Sequence, residues 1–201
     1  MPVPSLVDNL KILEADLVAQ PIRIAAHSDM PFAIFRYAPS DEFTLRRQLR
    51  LLAISMEQKH RKHVTFISLS RLVWDVIRKQ EGVEYLFKTE VLRGFRAAQE
   101  HINHLLTSKD FQPAPDALME IMENLKPESN VVFLIRAGGF APFIYRCSLL
   151  LDGLHRRTMV PSILFYPGSA AVGTDLRFFD LPVQGTPGVY NYRVKVYGVE
   201  S

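Results

Sequence analysis

Five consecutive apolar side chains, Val131-Val132-Phe133-Leu134-Ile135, constrain this chain more than any other stretch. A strand with one wet face alternates apolar and polar residues. An unbroken run must be covered on both faces, as in the centre of a parallel sheet. Val160 to Tyr166 is a second such run, and Phe32 to Tyr37 and Val64 to Leu69 read as two more strands from their aromatic and β-branched content. A final edge strand is expected over Tyr190 to Tyr197, where apolar and polar residues alternate.

The segments between these strands carry helical periodicity. Ser5 is placed to cap a first helix whose Leu6, Leu10, Leu13 and Leu17 share a face, with Pro21 ending it. Ser40 or Asp41 opens a second, with an apolar stripe of Leu45, Leu49, Leu52 and Met56. Ser70 is expected to cap a third, carrying Leu72, Val73, Val76 and Ile77. Residues 83–107 read as helix with Leu86, Leu92, Phe95, Ala98, Ile102 and Leu105 on the buried side, and Gly94 marks a place for a break. Asp116 opens a short helix through Leu125. Pro142 suits the first turn of a last helix, running through Tyr145, Leu149 and Leu150 to Gly153. Pro167-Gly168 is expected to stop the fourth strand. Strands alternating with helices predict an α/β fold: a single domain over 1–201 with a mostly parallel sheet of about five strands flanked by helices. The layering is Rossmann-like, without a P-loop.

Composition narrows the function classes. Of 201 residues, 48% are hydrophobic and 22% charged, enough for a core. No run approaches the roughly 18–20 apolar residues that span a bilayer. Met1-Pro2-Val3-Pro4 lacks the start of a secretory signal, and the single Cys147 permits no internal disulfide. A cytoplasmic protein is expected, with no membrane partner. The net charge of +3 is well short of a dedicated DNA-binding domain. Its basic residues cluster, however. Arg46, Arg47 and Arg50 lie close together, and Lys59-His60-Arg61-Lys62-His63 is a compact run. These positions are either a solvated helix face or candidate contacts to nucleic acid or another anion.

No reactive constellation is complete. The G-x-x-x-x-G-K-[ST] and G-x-G-x-x-G patterns are absent. Gly138-Gly139, beside Arg136, is the nearest approach to an anion cradle. It is expected to be a structural turn whose glycines tolerate positive φ, with the anion cradle as the alternative. His101 and His104 stand three apart but lack the further ligands of a zinc site. No G-x-S-x-G elbow is present, and nothing near Ser169 in sequence supplies a base. Cys147 lies on an apolar face, where a lone cysteine serves as a small core side chain. The chain is therefore expected to be no enzyme and to need no cofactor or metal. An alternative builds a hidden active site from Arg136, Arg146 and the Tyr166–Ser169 loop.

Two blocks in the C-terminal half carry a family likeness. The first is Val131 to Arg146 with Leu149-Leu150. The second joins Val160 to Gly168, notably Leu164-Phe165-Tyr166-Pro167-Gly168, to Leu176-Arg177-Phe178-Phe179 and Asn191-Tyr192-Arg193. With the Pro31 to Pro39 strand pattern and Asp41-Glu42 behind it, the chain resembles the BrxB family of BREX bacteriophage-defence systems. The resemblance implies a non-catalytic accessory subunit that acts through contacts with other BREX proteins, which include an ATPase, a DNA methyltransferase and the alkaline-phosphatase-like PglZ. PglZ is the expected partner. Aromatics concentrate late in the chain, so Phe178, Phe179, Tyr190, Tyr192 and Arg193 are the candidate partner contacts, with Tyr197 close by. The same aromatics could instead pack under the Gly/Pro-rich loops. Gly138, Gly139, Tyr166, Pro167 and Gly168 are expected to be structural loop positions. The alternative function is a basic nucleic-acid- or nucleotide-binding module in the same complex, using Arg46, Arg47, Arg50, Lys59, Arg61, Lys62 and Arg136.

Overall fold

A sheet with strand order β2-β3-β4-β1-β6 organises the chain: β1 is Phe32–Tyr37, β2 His63–Ser68, β3 Asn130–Ile135, β4 Ser162–Ala170 and β6 Lys195–Tyr197. The computed structural model describes residues 5–24, 30–141, 144–170, 176–178 and 194–198, with backbone alone at 169–170 and 176–178. The five strands run parallel, and a short β5, Leu176–Phe178, pairs antiparallel with the end of β4. The fold is the expected α/β class. The chain divides into two compact units: Met1–Phe66 with Leu125–Ile135 and Met159–Ser201, and Ile67–Asn124 with Arg136–Thr158.

In the first unit, helices α1 (Leu6–Val18) and α2 (Glu42–His60) cover one face of the sheet. Ser5 caps α1 by accepting the Asp8 amide, satisfying one of the free N–H groups of the first turn. The stripe Leu45, Leu49, Leu52 and Met56 is the buried side of α2, as its spacing predicts. It meets Leu10, Leu13 and Leu17 from α1, and Phe35, Phe133, Ile163 and Phe165 from the strands. Phe165 packs between Phe35 and Phe133, with ring centroids at 5.4 and 5.1 Å. The alternate strand residues Ile34, Val132, Leu134 and Leu164 are fully buried too, so the unbroken apolar runs mean what they predict. Across α1 and β6, Asp16 accepts from both Lys195 Nζ at 2.6 Å and the Tyr197 hydroxyl at 2.7 Å.

The second unit holds α3 (Leu69–Gln80), α4 (Val83–Thr107), α5 (Ala114–Met122) and α6 (Cys147–Leu154). Here several expectations are corrected. The N-cap of α3 is Ser68, which accepts the Arg71 amide. Ser70 lies inside the helix and donates its hydroxyl to the Arg136 carbonyl at 3.0 Å. In α4, Gly94 adopts φ 85°, ψ 167° and kinks the helix. Ala98, Ile102 and Leu105 beyond the kink are buried as expected, whereas Leu92 and Phe95 face solvent, because the kink breaks the phase of the stripe. The last helix begins at Cys147. Ile144 and Tyr145 instead form a turn closed by their amides on the Phe140 carbonyl, with Asn103 donating to the Ile144 carbonyl at 2.7 Å. Pro142 lies outside the described residues.

Pro167-Gly168 does not stop β4, which continues to Ala170. Pairing with β3 covers only Ser162 to Leu164, so Pro167 sits beyond that ladder, opposite Tyr37 of β1. A proline is tolerated at such an edge-like position because fewer ladder bonds need its missing N–H. The expected strand over Tyr190 to Tyr197 is described only from residue 194, and its regular part is Lys195–Tyr197.

Candidate functional site

The predicted basic cluster resolves into three different environments on and after α2. Arg46 is engaged: its guanidinium binds Glu42 at 2.6 Å and lies over the Phe43 ring at 5.5 Å. Glu42 also accepts from the Tyr37 hydroxyl. Burial, then that hydrogen bond, holds the Tyr37 phenol above its ordinary pKa range. Arg47 and Arg50 make no ion pair among the described residues and are exposed. They alternate along one helix stripe with Phe43, Leu51 and Ile54, three exposed apolar side chains. At the helix end Arg61 takes the left-handed conformation, φ 55°, so that the Arg61 and Lys62 amides close on the Glu57 and Met56 carbonyls. Lys59 and Arg61 stay exposed, while Lys62 Nζ reaches the Glu128 carbonyl at 3.4 Å. Nearby, His60 turns to Glu14 at 3.8 Å and His63 to Glu57 at 3.2 Å.

Gly138-Gly139, expected as a structural turn with an anion cradle as the alternative, does not open an α-helix. A four-residue 3-10 turn, Ala137–Phe140, follows β3. Its Gly139 and Ala141 amides bond the Arg136 and Gly138 carbonyls, which leaves them turned inward. The left-handed residue in this turn is Arg136 itself, φ 57°, not either glycine. Gly139 is required for a different reason: a Cβ there would lie 2.5 Å from the Ser70 Cα, so only a glycine lets the turn approach α3. Gly138 and Gly139 both lie within this turn. Arg136 is exposed.

Other sequence candidates disperse. His101 pairs with Glu81 and stacks on Tyr85, while His104 meets Phe111 edge-on at 5.4 Å. Among the described residues no group of three or more His, Cys, Asp or Glu is arranged to hold a metal ion. Cys147 is buried, and burial pushes its thiol up to about 12, only partly opposed by a backbone hydrogen bond. Tyr166, Pro167 and Gly168 are buried in β4 rather than in a loop. Among the proposed partner contacts, Phe178 has only its backbone described, in β5, and Phe179, Tyr190, Tyr192 and Arg193 lie outside the described residues. Tyr197 is buried against Asp16. Among the described residues no helix is long and apolar enough to cross a membrane.

Comparison with protein families adds one finding. Residues 65–196 match the family model described as BREX protein BrxB. The chain belongs to the BrxB family. Membership makes it a component of a BREX phage-defence system. The matched region runs from β2 to β6 and contains both sequence blocks that carried the likeness; the Pro31 to Pro39 pattern lies before it. Comparison with curated proteins and with solved structures gave no match.

Sequence reasoning missed the apolar half of the α2 face. The signal was present: Phe43, Leu51 and Ile54 fall off the Leu45-Leu49-Leu52-Met56 stripe, and an amphipathic helix with its buried side already filled has no inward use for them.

Proposed function

We propose that this BrxB-family subunit is a non-catalytic docking component of its defence system, and that PglZ is the protein it holds. The observation that supports this reading is the α2 stripe of Phe43, Arg47, Arg50, Leu51 and Ile54. Interface centres are enriched in aromatic residues and arginine and poor in lysine, and this stripe has that composition. A phosphate-binding surface draws its affinity from counterion release at many cations, and two arginines supply little of that. Arg46 beside the stripe is paired with Glu42, and the cations on the stripe without an ion pair among the described residues are Arg47 and Arg50. The partner surface that fits is apolar with an acidic rim.

Co-purification of the full chain with PglZ tests this. Retention through moderate salt is expected, with loss on Phe43→Ala combined with Arg47→Glu. Failure of the wild-type chain to co-elute would overturn the reading. A gel-shift series across salt, with Arg61 and Lys62 reversed in charge, tests nucleic-acid binding in parallel. Binding that those reversals abolish would favour the nucleic-acid module instead.

A further inference from the structure

The first half of α4, residues 83–93, is the least covered helix of the second unit. Val83, Phe87 and Val91 recur every four residues and are 43%, 65% and 66% exposed; Leu92 and Phe95, on either side of the kink, are 81% and 61% exposed. The arm holds its place through its other side, where Leu86 and Thr89 are half-buried and Tyr85 stacks on His101 with ring centroids at 5.2 Å. Apolar side chains contiguous over two helical turns are more than the scattered exposure of an ordinary surface.

The charges beside the stripe indicate what covers it. Glu84 and Lys88 flank Phe87 on the same side of the helix, and neither makes an ion pair among the described residues. Residues 83–93 carry two acids, Glu84 and Glu90, and two bases, Lys88 and Arg93, so the arm is neutral and a like arm meets no net repulsion. A two-fold axis at Phe87 brings two such helices together antiparallel. Val83 of one copy then faces Val91 of the other, and the two Phe87 rings meet at the axis. Glu84 lies beside Lys88 of the other copy, offset by about 3 Å along the helix at 1.5 Å per residue. Symmetry makes this ion pair twice. A self-complementary patch of this kind is what an isologous dimer requires.

We infer that a second copy of this chain covers the arm, pairing residues 83–93 antiparallel about Phe87. This contact uses none of the residues of the α2 stripe, so substitutions at Phe43 or Arg47 test the docking reading and those at Phe87, Glu84 and Lys88 test this one. Sedimentation velocity of the full chain, from about 1 to about 100 µM, spans the range in which a modest interface of this type associates. The mass should rise from 22.9 kDa toward twice that value. Phe87→Glu should weaken association at least tenfold. Glu84→Lys and Lys88→Glu should each weaken it several-fold, and the double exchange should restore it, with circular dichroism melts confirming that every variant is folded. A chain that stays monomeric throughout overturns the inference. So does a dimer indifferent to Phe87→Glu, or a double exchange that does not recover association.

Discussion

Asp16 and Lys195 lie 179 positions apart in the sequence, and 2.6 Å separates their charged groups. Tyr197 donates to the same carboxylate oxygen, so a single side chain of α1 ties down β6, one of the two outer strands of the sheet order. Burial alone would raise the Asp16 pKa. The hydrogen bonds from Lys195 and Tyr197, with the charges of Lys195 and Arg23, more than offset that and hold it below the usual carboxylate value.

Asp16→Asn should therefore destabilise the chain by about 1–3 kcal/mol at neutral pH, since it removes charge-assisted hydrogen bonds from a mostly buried site. Because the folded pKa is depressed, the stabilisation is present above the unfolded value of about 3.9 and lost as pH falls through the folded one. Denaturant unfolding from about pH 7 to about pH 3 should show the gap between wild type and variant closing at the acid end. A gap that is constant with pH would mean the carboxylate charge is not what Lys195 and Tyr197 recognise.

Gly139→Ala should be poorly tolerated. The new methyl would meet the Ser70 Cα at 2.5 Å, and a backbone atom cannot rotate away. A loss of about 1–3 kcal/mol is expected from this overpacking. Removing the Ser70 hydroxyl in a Gly139→Ala/Ser70→Ala double variant should not restore stability, which thermal melts can read directly.

At Gly94 the penalty has another origin. Nothing lies within 4 Å of the position a Cβ would take, but φ 85° with ψ 167° is a conformation that essentially only glycine adopts. Gly94→Ala should cost about 1–3 kcal/mol, or the segment should relax to continuous helix. In the second case the far-UV helical signal rises and the Tyr85–His101 stacking is lost. Unchanged stability together with unchanged helicity would argue against the kink.

The Cys147 thiol should resist alkylation in the native chain at pH 8. A thiol held near 12 by burial is almost wholly protonated there, and the thiolate is the reactive form. Labelling should appear only on addition of denaturant; rapid native labelling would place Cys147 at the surface.

Much of the fold was legible because the patterns that reveal it are the ones that stabilise it. Leu45, Leu49, Leu52 and Met56 are spaced for one helix face and are its buried face; the run at Val131 to Ile135 is the core of β3. Misreadings came where local signals compete. Ser68 and Ser70 both precede the helical pattern, and the choice of cap depended on where β2 ended. Leu92 and Phe95 look buried on a straight helix and are not on a kinked one. The Gly138-Gly139 pair was read as serving backbone torsion, whereas Gly139 serves the approach of a serine nearly seventy positions earlier, a distance that no local rule spans. For the surface, the cations were visible in sequence, but not that Arg46 answers to Glu42 while Arg47 and Arg50 stand among apolar neighbours.

The order β2-β3-β4-β1-β6 also governs how the molecule must be made. β1 precedes the other described strands in the chain, yet its neighbours, β4 and β6, follow only at residues 162–170 and 195–197. Until then a nascent chain carries Phe32, Ile34 and Phe35 on a segment with both edges unpaired, the condition that favours misassociation and invites chaperones. Late closure of such distant pairings makes folding slow, because loop entropy is lost before the contacts form.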